Sequence, residues 1–345
     1  MQRLIFWGAI ILAVVLLFSL ISTIIYWLLR IFLAKPTARI TCASVVVVML
    51  VVMSLSAWWG HTHTRLQAHV THTDICSSRL PVAFDGYRIA QISDLHLDSF
   101  SHEEGAMMLS DIATLMRQEQ PDLIVFTGDI VTFRAAQLVP FAQPLTLLSQ
   151  VPARSRQGFV PVYSILGNHD YADYVRQFTP ERRQQDVDSL ISLQTTAGWH
   201  MLRNASVLLQ SADSSQHIAL VGVENIGEPP FSVYGDLGLA MSGIGGIHAA
   251  DSIFTVLLSH NPTHWRREVL PSTAIDLTLS GHTHATQILV GQWSPARWKY
   301  DEWMGLYSEG DQHLYVNTGI GSVGPTVRIG IKPEVSVLTL RCSND

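Results

Sequence analysis

Two histidines flank a single threonine in "LSGHTHATQ" (residues 279–287), so His282 and His284 leave one loop toward a shared space. Adjacent imidazoles repel once protonated and gain little from solvation alone, whereas a metal ion uses both lone pairs. The chain offers more of this chemistry at wide spacing. "SDLHLD" carries Asp94 and His96, "TGDI" carries Asp129, "LGNHDY" carries Asn168, His169 and Asp170, and "LSHNP" carries His260. Each alone has an ordinary explanation as a capped loop or tight turn. Together, each closing an apolar run, they ask for a shared metal centre.

Short β-branched runs must position these groups. "YRIAQIS" (87–93), "DLIVFTG" (122–128), "VPVYSILG" (160–167), "HIALVGV" (217–223), "FTVLLS" (254–259) and "IDLTLS" (275–280) have the length and composition of buried strands. "LYVNTG" (314–319) and "VSVLTL" (335–340) add two more. Between the first two runs, Ser101 and Glu104 match a capping box, Met108, Ile112 and Leu115 share a helical face, and Pro121 marks the exit. Strand, helix, strand is a parallel crossover, and in such α/β sheets ligands gather beyond the carboxyl ends of the strands.

A formal net charge of -6 provides no basic field, which excludes nucleic acid as the expected partner. Charged residues make up only 14% of the chain, and the deficit is concentrated at one end. No charge interrupts Leu4 to Leu29 or Ile40 to Trp59. At about 1.5 Å per residue each run reaches across a hydrocarbon core of about 30 Å. The first is longer than the roughly 7–15 apolar residues of a cleaved signal peptide, and no small-x-small site follows it. Residues 1–60 therefore read as two transmembrane helices, with the lipid bilayer as partner. Trp7, Tyr26, Trp27, Trp58 and Trp59 lie near the ends of the runs, where amphipathic rings favour the headgroup layer. Arg30, Lys35 and Arg39 in the connector, against Arg3 and Arg65, lean toward a large domain outside the cytoplasm.

Residues 61–80 read as a polar linker running into an edge strand. His61, His63, His69 and His72 there read as solvated rather than as a metal patch. Residues 81–345 read as one large α/β domain. Cys42 falls in the second apolar run, and Cys76 and Cys342 are either a disulfide or inert thiols.

The order Asp-x-His, Gly-Asp, Gly-Asn-His-Asp, His, Gly-His-x-His resembles the calcineurin-like metallophosphoesterase superfamily over residues 82–341. "FDGYRIAQISDLHLD", "LLSHNP" and "GIGSVGPTVRIGIKPEVSVLTL" are similar to its membrane-anchored branch. The resemblance implies an α/β sandwich of two mixed sheets flanked by helices, with a two-metal site. By position, Asp94, His96 and His284 hold the first metal, Asn168, His260 and His282 the second, and Asp129 bridges them. Imidazole, carboxylate and amide oxygen suit Mn, Fe or Zn better than Mg or Ca. A water shared by two adjacent cations loses its proton near neutral pH and attacks phosphorus in line. His169 matches the family's non-ligand histidine, which serves the leaving oxygen, with Asp170 expected to orient its other nitrogen.

Gly128, Gly167 and Gly281 are expected to let each strand turn sharply into the site. "GHTHATQ" departs from the branch's commoner "GHTHGGQ" at Ala285 and Thr286, which stiffens the following loop. "GDIVTFRAA" and "GNHD" lack the "GDxVDRG" and "GNHE" of protein phosphatases, so that activity is disfavoured. The expected reaction is hydrolysis of a phosphodiester or pyrophosphate on a lipid-linked or membrane-surface substrate. The alternatives are a broad phosphodiesterase acting on soluble substrates and, more remotely, a receptor that kept the fold without turnover. Arg134 reads as a substrate phosphate contact or a plain surface residue. The aromatic stretch "GQWSPARWKYDEWMGLYSEG" (291–310) reads either as a loop packed over the sheet edge or as a surface for lipid.

Overall fold

The computed structural model describes residues 19–154, 158–229 and 231–343. The chain divides into two compact units, Met1–Trp59 and Gly60–Asp345. In the first, the described part of α1 (Ser19–Phe32) is apolar, and it is followed by α2 (Lys35–Thr62). Most of the first expected span lies outside the described residues. Among the described residues, α2 alone is long and apolar enough to cross a membrane. Its 28 residues rise about 42 Å. Val45, Val47, Leu50, Val52, Met53 and Leu55 are exposed along it, so its apolar surface is not confined to one face.

The second unit is built on two six-stranded sheets. The first runs β1 (His69–Ser77), β12 (Glu334–Cys342), β2 (Arg88–Ile92), β3 (Leu123–Phe126), β4 (Val162–Ser164), β5 (Trp199–Met201). The second runs β10 (Gly305–Glu309), β11 (Gln312–Val316), β9 (Leu277–Ser280), β8 (Thr255–Leu258), β7 (His217–Gly222), β6 (Ala205–Gln210). Both are mixed: β2 to β5 are parallel to one another, as are β7, β8, β9 and β11. β12 is antiparallel to β2 and parallel to β1, with His69 opposite Glu334.

The inner faces meet through Ile89, Leu123 and Val125 on one side and Leu220, Val256, Leu258, Leu277 and Leu279 on the other. The outer face of the first sheet is covered by α3 (His102–Glu119), the single turn α4 (Ala142–Leu145) and α5 (Pro180–Thr196). Burial on both faces explains why "LIVF" of β3 is apolar at every position. α3 starts at the expected box: Ser101 accepts from the Glu104 backbone, and the Glu104 side chain accepts from the Ser101 backbone. Its buried face is Met108, Leu109, Ile112, Ala113 and Met116, and Gln120 ends it in a left-handed conformation before Pro121.

The stretch expected as a linker is largely structured, because β1 takes nine of its residues into the sheet edge. Its histidines have separate partners: His61 faces Thr326 O, His69 faces Pro333 O and His72 faces Glu119. Cys76 and Cys342 are free. Cys76 lies opposite Arg341, and Ser77 lies opposite Cys342. Alternation along the strands therefore sends the two thiols to opposite faces of the sheet.

Candidate dimetal centre

Five parallel strands deliver the predicted residues to one end of the sandwich. Asp94 and His96 follow β2, Asp129 follows β3, and Asn168, His169 and Asp170 follow β4, all neighbours in the first sheet. His260 follows β8, and His282 and His284 follow β9, in the second. Two groups result, Asp94 with His96 and His284, and Asp129 with His260 and His282; in each, the ligand atoms lie within 4.8 Å of one another. In the first, His284 Nε2 is 3.2 Å and His96 Nε2 4.0 Å from Asp94 Oδ1. In the second, His260 Nε2 is 3.1 Å from Asp129 Oδ2, 3.1 Å from Asn168 Oδ1 and 3.3 Å from His282 Nδ1. Asp129 Oδ2 is also 3.6 Å from His96 Nε2, so this carboxylate touches both groups.

The donor set fits two cations. His96 Nε2 and His284 Nε2 are buried without a hydrogen-bond partner, a cost that a metal removes. Ring orientation is fixed from behind: His260 Nδ1 donates to Thr127 O at 2.7 Å, and His96 Nδ1 lies 3.1 Å from Thr132 Oγ1. Each such bond leaves Nε2 as the inward atom. Asp94, His96, Asp129, His282 and His284 all have left-handed backbones, with φ between 35° and 72°. Strained side-chain-bearing residues collected at one spot are characteristic of a functional centre.

Gly128 has the conformation expected of a turn glycine, with φ of 99°. Gly167 and Gly281 serve instead as points of close approach. A Cβ on Gly167 would overlap Asp129 Oδ1, and one on Gly281 would overlap Ser93 Oγ and Asp94 Oδ2. Ala285 and Thr286 stand at φ of 47° and 51°, which explains why glycine suits those positions.

Burial works against the Asp129 anion, yet His260 and His169 hold its pKa well below the usual range. Burial likewise opposes the His260 cation, but Asp129 pushes its pKa up to about 9. His282 is pushed down to about 3 by burial and by the neighbouring His260.

The orienting partner of His169 differs from the expectation. His169 Nδ1 donates to Thr132 O at 2.8 Å. Asp170 faces the backbone instead, accepting from Asp129, Ile130 and Gly167 N–H groups at 2.8, 3.0 and 2.9 Å. It therefore staples the loop that carries Asp129. Burial, then the Asp129 charge, raise the Asp170 pKa to about 7. Arg134 is exposed and forms no part of either group.

The family model for calcineurin-like phosphoesterase matches residues 87–286, a span that contains both groups in full. The chain belongs to the calcineurin-like phosphoesterase family. It is a metal-dependent phosphoester hydrolase. An uncharacterized metallophosphoesterase, YkuE of Bacillus subtilis, is 32% identical over 84% of this chain and 93% of its own length. A bovine (Bos taurus) transmembrane protein with a metallophosphoesterase domain is 28% identical over 79% of this chain, which spans only 57% of that protein. The UDP-2,3-diacylglucosamine pyrophosphatase LpxG of Chlamydia muridarum is 25% identical over 76% of this chain and 87% of its own length.

Several residues of this phosphoesterase site carry no sequence signal. Tyr300 Oη lies 3.2 Å from His282 Nε2, and Tyr174 Oη accepts from Asn168 Nδ2 at 2.9 Å while its ring lies 4.6 Å from that of His169. Arg328 is fully buried and donates to Thr318 O, Gly319 O and Gly321 O at 3.1, 2.9 and 2.7 Å. It thereby fixes the loop in which Gly319 packs against Asp94 and His284. Burial lowers its pKa to about 10.

Proposed function

We propose that this protein, anchored by a two-span helical hairpin, hydrolyses a phosphodiester or pyrophosphate bond in a lipid-linked or membrane-surface substrate. The contact of one carboxylate, Asp129, with both ligand groups carries the hydrolytic part of this reading. Asp94, His96 and His284 would hold one cation, Asn168, His260 and His282 the other, and Asp129 would serve both. Borderline ions such as Mn, Fe or Zn match the mixed nitrogen and oxygen donors. Such a pair supplies Lewis acidity to the phosphoryl oxygens and an acidified water.

The chain's own residues do the rest. With Nδ1 committed to Thr132 O, His169 is left with Nε2 to hand a proton to the departing oxygen. Asp170 keeps the Asp129 loop in place, and Tyr174 presents the amide oxygen of Asn168 by holding its nitrogen. Arg134, exposed five residues past Asp129, is the candidate contact for a substrate phosphate.

The membrane part rests on the length and composition of α2, on the uncharged Leu4–Leu29 run, and on the likeness to the bovine transmembrane protein and to LpxG. The basic connector residues support a catalytic domain outside the cytoplasm. The test is turnover by detergent-purified protein, stripped of metal and given back single metals, against bis-p-nitrophenyl phosphate, a UDP-linked diacyl sugar and a phospholipid. Preference for the acylated substrates supports the reading. Hydrolysis of the soluble diester alone reduces it to a phosphodiesterase without lipid preference.

A further inference from the structure

The segment after the last two histidines combines firm anchoring with exposed apolar surface. Ser294 is fully buried, accepting from Ala296 N and donating to Ala285 O, and Tyr300 is held beside His282. Between and beside these pins the side chains face outward. Trp298 is 79% exposed, Val290 63% and Trp293 39%. Val290 and Trp293 exchange backbone hydrogen bonds across Gly291, and the two tryptophan rings meet edge to face at 5.3 Å. Arg297 and Lys299 are exposed on either side of Trp298.

A rigid loop that leaves two indoles in water loses hydrophobic free energy unless something covers them. Indole beside basic side chains is the composition that settles in an anionic headgroup layer. The expectation of a loop packed over the sheet edge accounts for Ser294, Ala296 and Tyr300, but not for Trp298.

Where the loop lies gives it a partner. His61, at the start of the catalytic unit, bonds Thr326 O at 2.8 Å, and the Gly60 carbonyl faces Arg328 N. Ile329 in turn bonds Gln287 and Leu289, and Gln287 reaches Pro325 and Val327. Gly60 and His61, the first residues of this unit, therefore dock beside the root of the Val290–Lys299 loop, at the end of the sandwich that holds the metal ligands. Phe231 and Val233, beyond β7 and hence at this same end, are exposed as well.

We propose that Val290, Trp293 and Trp298, flanked by Arg297 and Lys299, form a bilayer-seating rim that inserts into the anionic headgroup layer of the membrane in which the chain is anchored. The proposal rests on the membrane anchoring argued above and specifies how a substrate headgroup would meet the site: at the membrane surface, without leaving the lipid.

The test uses the full chain in nanodiscs of phosphatidylcholine and phosphatidylglycerol, with Cys42, Cys76 and Cys342 changed to alanine. A nitroxide is placed in turn on Trp298→Cys, on Ala212→Cys in the β6–β7 turn at the opposite end, and on Val47→Cys in α2. Relaxation by oxygen against a water-soluble nickel chelate reports depth. The label at 298 is expected to favour oxygen, and the one at 212 the chelate. A chelate-accessible label at 298, or one shielded from both reagents as by a second protein surface, overturns the rim while a lipid-buried label at 47 leaves the anchor standing. An aqueous label at 47 removes the anchor itself. Trp293→Ser with Trp298→Ser should leave turnover of bis-p-nitrophenyl phosphate unchanged and lower turnover of a vesicle-borne phosphoester about tenfold. Equal loss on both substrates also counts against the rim.

Discussion

Tyr300 Oη sits 3.2 Å from His282 Nε2, behind a ring whose Nδ1 faces His260 and the second ligand group. A hydroxyl in that place fixes which nitrogen keeps its proton and therefore which offers a lone pair. Tyr300→Phe is expected to weaken binding of one of the two cations about 10–100-fold, leaving the Asp94 group loaded. Competition with a chelator, followed by metal counting, checks this. Equal loss of both ions would show that the tyrosine supports the loop and not the ligand.

Asp129 and His169 separate metal binding from proton transfer. Asp129→Asn should abolish turnover and release bound metal, because this carboxylate touches both groups. His169→Ala should retain both ions and lose about 10²–10⁴-fold in turnover, recovered in part with a substrate whose leaving group needs no proton. Metal content measured beside rate on each variant decides the matter.

At the far end of the sandwich, Asp276 is buried against Arg79, accepts from Thr255 N at 2.8 Å, and has its pKa raised to about 7 by burial. The folded state therefore holds this proton more tightly than the unfolded chain, so the contribution is complete below about pH 4 and is lost as pH rises toward 7. Asp276→Asn should remove a pH-dependent loss on the order of 3 kcal/mol across that window. Thermal midpoints of both proteins between pH 4 and 8 should converge at the acid end.

Thr286 holds a left-handed backbone with φ of 51°, a costly conformation for a β-branched residue. Its hydroxyl bonds the adjacent Ala285 carbonyl and Ser294 Oγ. Thr286→Gly should stabilise the domain by about 1 kcal/mol, seen as a higher thermal midpoint with unchanged metal content. A lower midpoint would mean that the hydroxyl contacts outweigh the strain.

The ligand groups were legible because imidazoles and carboxylates are rare at the ends of buried runs, and parallel strands deliver such ends to one place. Their orienting partners were not. Thr127 O, behind His260, and Thr132 O, behind His169, act through the backbone, which every residue possesses, and the Thr132 hydroxyl behind His96 looks like any loop threonine. Asp170 shows the opposite error: a carboxylate next to His169 suggested a pair, whereas three nearby N–H groups claim it. β5, with three residues, and β10, exposed along much of its length, present too little apolar pattern to be read. Tyr300 lay in a stretch whose aromatic content pointed to packing or lipid. Its contact with His282 depends on where the loop turns back.

β12 lies between β1 and β2, so the first sheet keeps an open slot until residues 334–342 arrive. Glu334 then accepts from Thr318 N and Oγ1, which sets the loop that carries Gly319 against Asp94 and His284. A chain emerging from the ribosome will thus hold unfinished ligand groups through most of its synthesis. The ligand groups therefore take their final form only when a strand that begins fifty residues beyond the last ligand histidine joins the sheet.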